Sequence, residues 1–403
     1  MQESNSKTLL IKGGLFLLTL ITTTLSGAEL MFGRSFIYGS TLGWTEFFRG
    51  MEYSIPFLLI LTVHEFGHYF TAKHNNVDVS LPSYLPMWLG FLVPLSIGTM
   101  GAFIRIRSHI KSKQQHFDIG IAGPLAGFVV AVFVLLYGFT HLPEPSHVFE
   151  IHPEFESFGA DYADQVYTMD TVLYKSDFAS VNRYNYQHST DSVIYNTEFP
   201  SIKVGKNLLF LFMEEYVVKD KSRIPNAYEM MHYPWLFAGF LALLFTALNL
   251  LPIGQLDGGH VIYGLFGDKW HKKIAQSFFI LLITYAGLGV VTPHQPMEDM
   301  LLSGVVYLAF LFFVLKGLKK KPIDTIMIAL GIFVVQFLLG LIFPTLEGYQ
   351  GWLLFSFLIG RFLGVYHPVA MDESPLDTNR KILGWIALII FIISFSPQPL
   401  MAG

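Results

Sequence analysis

The chain has 403 residues, 52% of them hydrophobic and only 14% charged, with a formal net charge of −4 and a mean hydropathy of +0.48. A soluble globule of this length needs more polar surface, and repeated apolar runs of roughly 17–25 residues indicate instead an all-α polytopic membrane protein. Cysteine is absent, which excludes disulfides, thiolate metal sites and thiol nucleophiles and leaves His, Asp and Glu to hold any transition metal.

In chain order, a short polar start carries Lys7 and Lys12 and leads into an apolar run. We read this run as an uncleaved first span, although Ser26-Gly27-Ala28 resembles a signal-peptide cleavage site. Nine candidate spans follow the hydropathy: 9–25, 53–72, 117–139, 233–251, 274–291, 301–315, 323–343, 352–365 and 382–395. Every second connection is basic. Lys73, Arg105, Arg107, Lys111 and Lys113 lie between the second and third spans, and Lys269, Lys272 and Lys273 between the fourth and fifth. Lys316 and Lys319 to Lys321 join the sixth to the seventh, and Arg380 and Lys381 precede the ninth. These connections are expected to face the cytoplasm. The Lys319–Lys321 run reads as a positive-inside anchor and not as a nucleic-acid site. The connections with Glu298 and Asp299, and with Glu347, suit the other side.

The longest polar stretch, 141–232, has roughly twice as many acidic as basic residues and is read as an extracytoplasmic insertion. Within it, Ser192-Val193-Ile194-Tyr195 is strand-like, and 207–218 suits an amphipathic helix on the membrane surface. The chain thus divides into an N-terminal span and external loop (1–52), a first core segment (53–140), the insertion (141–232), a second core segment (233–273) and C-terminal spans (274–403).

The second span contains Val63-His64-Glu65-Phe66-Gly67-His68. On a helix, His64 and His68 stand four residues apart and project from one face, so both imidazoles can bind one metal ion. Glu65 sits beside them and can reach a water molecule without being a ligand, the arrangement of a zinc hydrolase. H-E-x-x-H occurs by chance in long proteins. Here it lies in a segment long enough to cross a bilayer, where ionisable groups are costly and usually functional.

A catalytic zinc site usually takes three protein ligands. The candidate third is Asp257, in Asn249-Leu250-Leu251-Pro252-Ile253-Gly254-Gln255-Leu256-Asp257-Gly258-Gly259-His260. This stretch closes the fourth span at the same side as His64 and His68. Its proline and glycines predict broken helix, which membranes tolerate only where it is buried or lines a cavity. The plainer role for Asp257 is a helix cap after Leu256. Phe103-Ile104-Arg105-Ile106-Arg107 alternates like a strand behind a glycine-bearing entry. The polar stretch 75–83 and the loop 105–115 suggest water access from the cytoplasmic side. His109 and His116 are expected to be solvated, His74 to flank the water entrance, His260 to serve the metal's surroundings or packing, and His367 to carry no chemistry. Gly123-Pro124 is expected to let the third span start tightly against its neighbours, and Arg361 to reach the inner interface.

With these motifs in view, the sequence resembles the site-2 protease family of intramembrane zinc metalloproteases. The likeness rests on His64-Glu65-Phe66-Gly67-His68, on Asn249 through Gly259, on Gly98-Thr99-Met100-Gly101-Ala102-Phe103-Ile104-Arg105-Ile106-Arg107 and on Ala122-Gly123-Pro124-Leu125-Ala126-Gly127. Many relatives carry proline where this chain has Gly254. The resemblance implies a site-2 protease-like helical bundle with a small membrane-embedded β-element. It implies Zn2+ held by His64, His68 and Asp257, with Glu65 as general base and then proton donor. It implies that Asn249, Gly101, Ala102, Phe103 and Ile104 bind substrate, the strand pairing with an unwound transmembrane helix. Transmembrane proteins and the lipid bilayer are the implied partners, no nucleic acid is expected, and the oligomeric state is open.

A membrane metal transporter also needs intramembrane His and Asp, but gains nothing from a non-ligating Glu65. A catalytically inactive membrane adaptor would not need all four residues. A short N-terminal stretch without an Arg- and Ser-rich profile leads us to expect a bacterial plasma membrane.

Overall fold

A computed structural model describes residues 2–37, 42–90, 96–167, 202–318 and 321–402. Helix α1 (Gln2–Phe32) is followed by the short α2 (Trp44–Arg49) and by α3 (Met51–His74), which carries the histidine pair. A two-stranded antiparallel hairpin, β1 (Ser83–Pro86) and β2 (Thr99–Phe103), precedes α4 (Lys113–Thr140). Short helices α5 (His147–Ile151) and α6 (Tyr162–Val166), strand β3 (Ile202–Val204) and α7 (Leu208–Tyr216) lead to α8 (Pro234–Asn249). Then come α9 (Asp257–Ala286), α10 (Met297–Leu315), α11 (Pro322–Ile342), α12 (Gly351–Leu358), α13 (Thr378–Ser394) and strand β4 (Leu400–Ala402), which pairs antiparallel with β3.

The protein is a polytopic helical membrane protein. Among the described residues, four helices are long and apolar enough to cross a membrane: Ser6–Phe32, Lys113–Thr140, Met297–Leu315 and Pro322–Ile342. At 1.5 Å per residue α3 is ~36 Å long, enough to cross despite its polar residues. By the same measure α8 is only ~24 Å, shorter than a hydrocarbon core of ~30 Å. It nevertheless buries Phe237, Phe240, Leu241 and Leu243 on all sides. This helix is a central strut of the bundle that stops partway across.

In lipid, apolar surface alone does not drive helices together, so close packing and internal hydrogen bonds must. Helix α4 supplies the packing. Its Gly120, Gly123 and Gly127 lie on one stripe and admit side chains of α3 and α9 against bare backbone. Ser112 caps α4 by accepting from the Gln115 N–H at 3.1 Å, and the Gln115 amide returns to the cap in a capping box. The helix therefore starts at Lys113, ten residues before Gly123. The expectation that Gly123-Pro124 opens this span is corrected: both sit inside the helix, and Gly123 serves packing.

Other expectations shift for similar reasons. Residues 207–218 do form a helix, α7, but one side is not on a membrane surface. Phe210 and Met213 are buried, and Phe210 meets the Phe139 and Phe240 rings. The described part of the insertion thus shares the bundle's core. The strand-like residues 192–195 lie outside the described residues. The 274–291 span is the second part of α9, a helix that begins at Asp257 and is interrupted at Gly267 (φ 75°). Arg361 lies over the Phe313 ring at 4.2 Å.

Residues 364–377, the late loop that holds His367, fold back onto the starts of α4 and α9. Lys113 donates its backbone N–H to the Asp372 carbonyl at 2.9 Å, and Gln114 donates to the Pro375 carbonyl at 3.1 Å. Arg380 then forms a bidentate pair with Asp118, Nε to Oδ1 and Nη2 to Oδ2, both at 2.7 Å. Asp118→Ala is expected to destabilise the protein by about 2 kcal/mol, as loss of a charge-assisted bidentate pair does. Unfolding in detergent with a denaturing surfactant measures this, with Asp377→Ala, whose partner is the same arginine at a more exposed position, as the milder control.

Candidate metal centre

Helical spacing places His64 and His68 on one face of α3, their ring centroids 4.8 Å apart. Their Nε2 atoms approach to 3.1 Å. Asp257, the first residue of α9, brings Oδ2 to 3.6 Å from His64 Nε2 and 3.4 Å from His68 Nε2. His68 Nδ1 stands 2.6 Å from the Ile119 carbonyl oxygen, which can only accept, so Nδ1 carries the proton and Nε2 presents a lone pair. The three donor atoms form a triangle whose edges suit one small cation with ligand bonds of about 2.0–2.2 Å. His64 and His68 are buried.

The geometry is built by subtraction and by interruption. A Cβ at Gly123 would sit 2.1 Å from His68 Nε2, so no side chain fits there. A Cβ at Gly127 would come within 3.0 Å of His64 Cβ. Helix α8 ends at Asn249 and the chain turns through 250–256 before α9 begins. Gly254 adopts φ +58°, a left-handed conformation that glycine takes without strain, and donates its N–H to the Val365 carbonyl at 2.9 Å. The broken segment is thus satisfied by the 364–377 loop, as burial in an apolar environment demands. Gly258 and Gly259, expected within the break, instead form the first turn of α9. A Cβ at Gly258 would meet the Leu250 carbonyl oxygen at 2.0 Å, so the glycine is what lets the turn fold back on itself. Asp257 is therefore both helix-starting and directed at the histidines.

Asn249, at the end of α8, places Nδ2 3.4 Å from His64 Nε2, beside the ligand triangle. Glu65 is buried and stands within hydrogen-bonding reach of the Ile104 backbone. Strand β2 contains Gly101, Ala102 and Phe103, and Ile104 follows it directly. The regular strand ends at Phe103, but the pairing continues more loosely through the alternating stretch 103–107. Register runs Ser83↔Phe103 and Tyr84↔Ala102, and beyond that Ser80 and Arg105 exchange bonds and Val79 bridges Ile106. The segment 75–83, read from sequence as a polar water approach, thus supplies the pairing partner. Tyr84 of β1 shares a 2.8 Å hydrogen bond with Thr62 of α3, tying the hairpin to the histidine helix. Lys12 of α1 donates to Ser83 Oγ at 2.7 Å and to the Leu81 carbonyl. A charge read from sequence as a topology marker holds the outer side of β1. Among the described residues the far edge of β2 has no strand partner.

Two histidines depart from the expectation drawn from sequence. His116 is not a solvated loop residue: it lies in α4, its ring stacked 5.3 Å from that of His260. His367 is buried and its Nε2 is 2.7 Å from His260 Nδ1. This is a hydrogen-bonded pair that fastens the 364–377 loop to the first turn of α9. No local pattern signalled it, since the partners are 107 residues apart.

A helical membrane protein in which two buried histidines and an aspartate converge, with a glutamate beside them, is the class that fold and site define. Residues 52–292 match the family model Peptidase family M50, and the chain belongs to that family. It is similar to a probable zinc metalloprotease EGY1, chloroplastic, of Arabidopsis thaliana, 24% identical over 55% of this chain and 31% of the relative. It is also similar to a probable zinc metalloprotease EGY1, chloroplastic, of Oryza sativa subsp. japonica, 28% identical over 58% and 30%. A third is a probable zinc metalloprotease EGY2, chloroplastic, of Oryza sativa subsp. indica, 24% identical over 62% and 39%. The chain spans about a third of the length of these curated relatives. No solved structure matches.

Gly123→Ala is expected to push the His68 ring off its position and weaken zinc retention about tenfold or more, a typical effect of disturbing a ligand's support. Equilibrium dialysis against buffered Zn2+ measures this, and Gly331→Ala, where a Cβ meets open space, is the matched control.

Proposed function

We propose that this chain is an intramembrane zinc endopeptidase that hydrolyses peptide bonds within or near the transmembrane segments of membrane-anchored proteins. The observation that carries the reading is the pairing of a three-atom triangle (His64, His68, Asp257) with the neighbouring carboxylate of Glu65, beside a strand edge that has no strand partner among the described residues. Membership of a peptidase family and similarity to probable zinc metalloproteases support zinc as the metal. When bound, zinc supplies a Lewis acid that polarises a carbonyl and acidifies water.

The chain's own residues do the rest. Glu65 takes the proton of the attacking water and returns it to the departing amine nitrogen. Its position by the Ile104 backbone places that transfer at the end of β2. Asn249 donates a side-chain N–H toward the oxygen that gains charge as the carbonyl carbon becomes tetrahedral. A transmembrane helix cannot be cut while its peptide groups are internally bonded, and once unwound in lipid they need new partners. The open edge of β2, from Gly101 to Phe103 and on to Ile104, offers that ladder. The basic connections near the site support an orientation toward the cytoplasm, as a bacterial plasma membrane would hold it. The described parts of the insertion, 141–167 and 202–232, pack at the opposite end, which suits a filter against substrates with bulky outer domains.

Glu65→Gln should keep zinc at wild-type stoichiometry while cleavage falls by about 10²–10⁴-fold, the range of a lost general base. Asp257→Ala should lose both metal and cleavage. Cleavage of a reconstituted single-span substrate, read by mass spectrometry alongside metal analysis, decides the matter; an active Glu65→Gln enzyme would end this reading. Ile104→Pro should leave zinc bound and the fold stable but slow cleavage, since proline interrupts the strand extension. Unchanged turnover would remove strand pairing from the mechanism.

A further inference from the structure

A second convergence of ligand atoms lies at the opposite end of the bundle, outside the M50 motifs. His152 follows α5, while Glu229 and His232 belong to the turn that enters α8. His152 Nε2 is 3.2 Å from His232 Nε2. Glu229 Oε2 is 3.7 Å from the former and 3.5 Å from the latter. Glu229 and His232 are buried, 1% and 3% exposed, while the His152 side chain is partly exposed, at 26%.

The protonation pattern makes the convergence unusual. His232 Nδ1 stands 3.0 Å from the Met31 carbonyl oxygen of α1, an acceptor only, so Nδ1 carries the hydrogen and Nε2 bears a lone pair. His152 Nδ1 stands 3.3 Å from Glu154 Oε1, which fixes the same tautomer. Tyr167 donates to Glu229 Oε1, while Oε2 has no hydrogen-bond donor among the described residues. Three lone-pair atoms therefore face one another. A single proton satisfies one pair among three, and leaving the rest costs on the order of 1–3 kcal/mol per group. A cation at the centre satisfies all three at once. For zinc–nitrogen bonds of 2.0–2.1 Å a tetrahedral site has ligand edges of about 3.3–3.4 Å. The edges of 3.2, 3.5 and 3.7 Å here nearly repeat the 3.1, 3.4 and 3.6 Å of the His64, His68, Asp257 triangle. Each histidine also has its far nitrogen held by a carbonyl or carboxylate, the usual support for a metal-bound imidazole.

We propose that His152, Glu229 and His232 form a second divalent-metal site, of zinc type, that fastens the end of α1, the start of the insertion and the entry to α8. Nearby carboxylates are engaged elsewhere: Glu154 lies behind His152, and Glu150 pairs with His147 at 3.4 Å. The site therefore has a structural role.

The test is zinc content of the full-length chain, purified in detergent, stripped with chelator, reloaded with Zn2+ and dialysed. Wild type should hold two zinc ions per chain, and His64→Ala/His68→Ala should hold one. His152→Ala should also hold one, and the combined variant none. The thermal stabilisation that added Zn2+ gives the stripped protein should persist in His64→Ala/His68→Ala and shrink in His152→Ala. A zinc-free His64→Ala/His68→Ala protein overturns the proposal, and so does a His152→Ala protein that keeps two ions. The first result leaves the protease reading standing. One ion that survives loss of His64 and His68 but not of His152 would instead remove the metal from the catalytic centre.

Discussion

Two imidazoles and a carboxylate meeting at one point among apolar helices are the constraint around which this molecule is arranged. Lone pairs that face one another in a low-dielectric interior repel and lack solvent, so the arrangement stands only if something binds all three. Every neighbouring element yields to it. Helix α4 presents hydrogen atoms where side chains would stand, because a Cβ at Gly123 would occupy the place of the His68 ring. Helix α8 ends early, and a glycine-bearing turn lets α9 begin with Asp257 pointing at α3. The buried turn finds a partner in the 364–377 loop, whose Val365 carbonyl accepts from the Gly254 N–H and which arrives from the far end of the chain.

The hairpin extends the same logic. A two-stranded ribbon alone is marginal, yet this one is anchored on both sides. Tyr84 reaches Thr62 on the histidine helix, and Lys12 grips the backbone and Ser83 from α1. The sole unpaired side of β2 among the described residues is then the one a peptide can use. Its extension, Ile104, lies against Glu65. Glu65 and the strand thus share a support.

What the sequence made legible was the chemistry carried by short spacings. His64, Glu65 and His68 lie within two turns of one helix, so their relation follows from helical geometry. Asp257 could be paired with them because both segments end at the same depth. The apolar runs gave most helices within a few residues. What was hidden depends on contacts between distant positions. His116 and His367 read as idle until α4 and the late loop were seen to converge on His260. The segment 75–83 looked like a polar approach because its partner strand lies on the far side of residues 91–95, and an edge strand of four residues has almost no periodicity. Gly123 looked like a helix opener because its real neighbour, His68, is 55 positions earlier in the chain.

The two ligand triangles show why geometry alone does not make an enzyme. Their edges are nearly equal, and each contains a histidine whose far nitrogen faces a backbone carbonyl, His68 at Ile119 and His232 at Met31. Their surroundings differ. Beside the first stands Glu65, a carboxylate bound to neither histidine, next to an open strand edge and a broken helix that keeps polar backbone nearby. Around the second, Tyr167 holds one oxygen of Glu229 and Glu154 is turned away behind His152. No carboxylate among the described residues is free to move a proton there. The pieces it joins are those that local sequence cannot hold together: the end of a long first helix, the start of a long insertion and the entry to the short central strut. A cation at that junction would fix the outer end of α8, and through it the depth at which Asn249, at the other end of the same helix, meets His64.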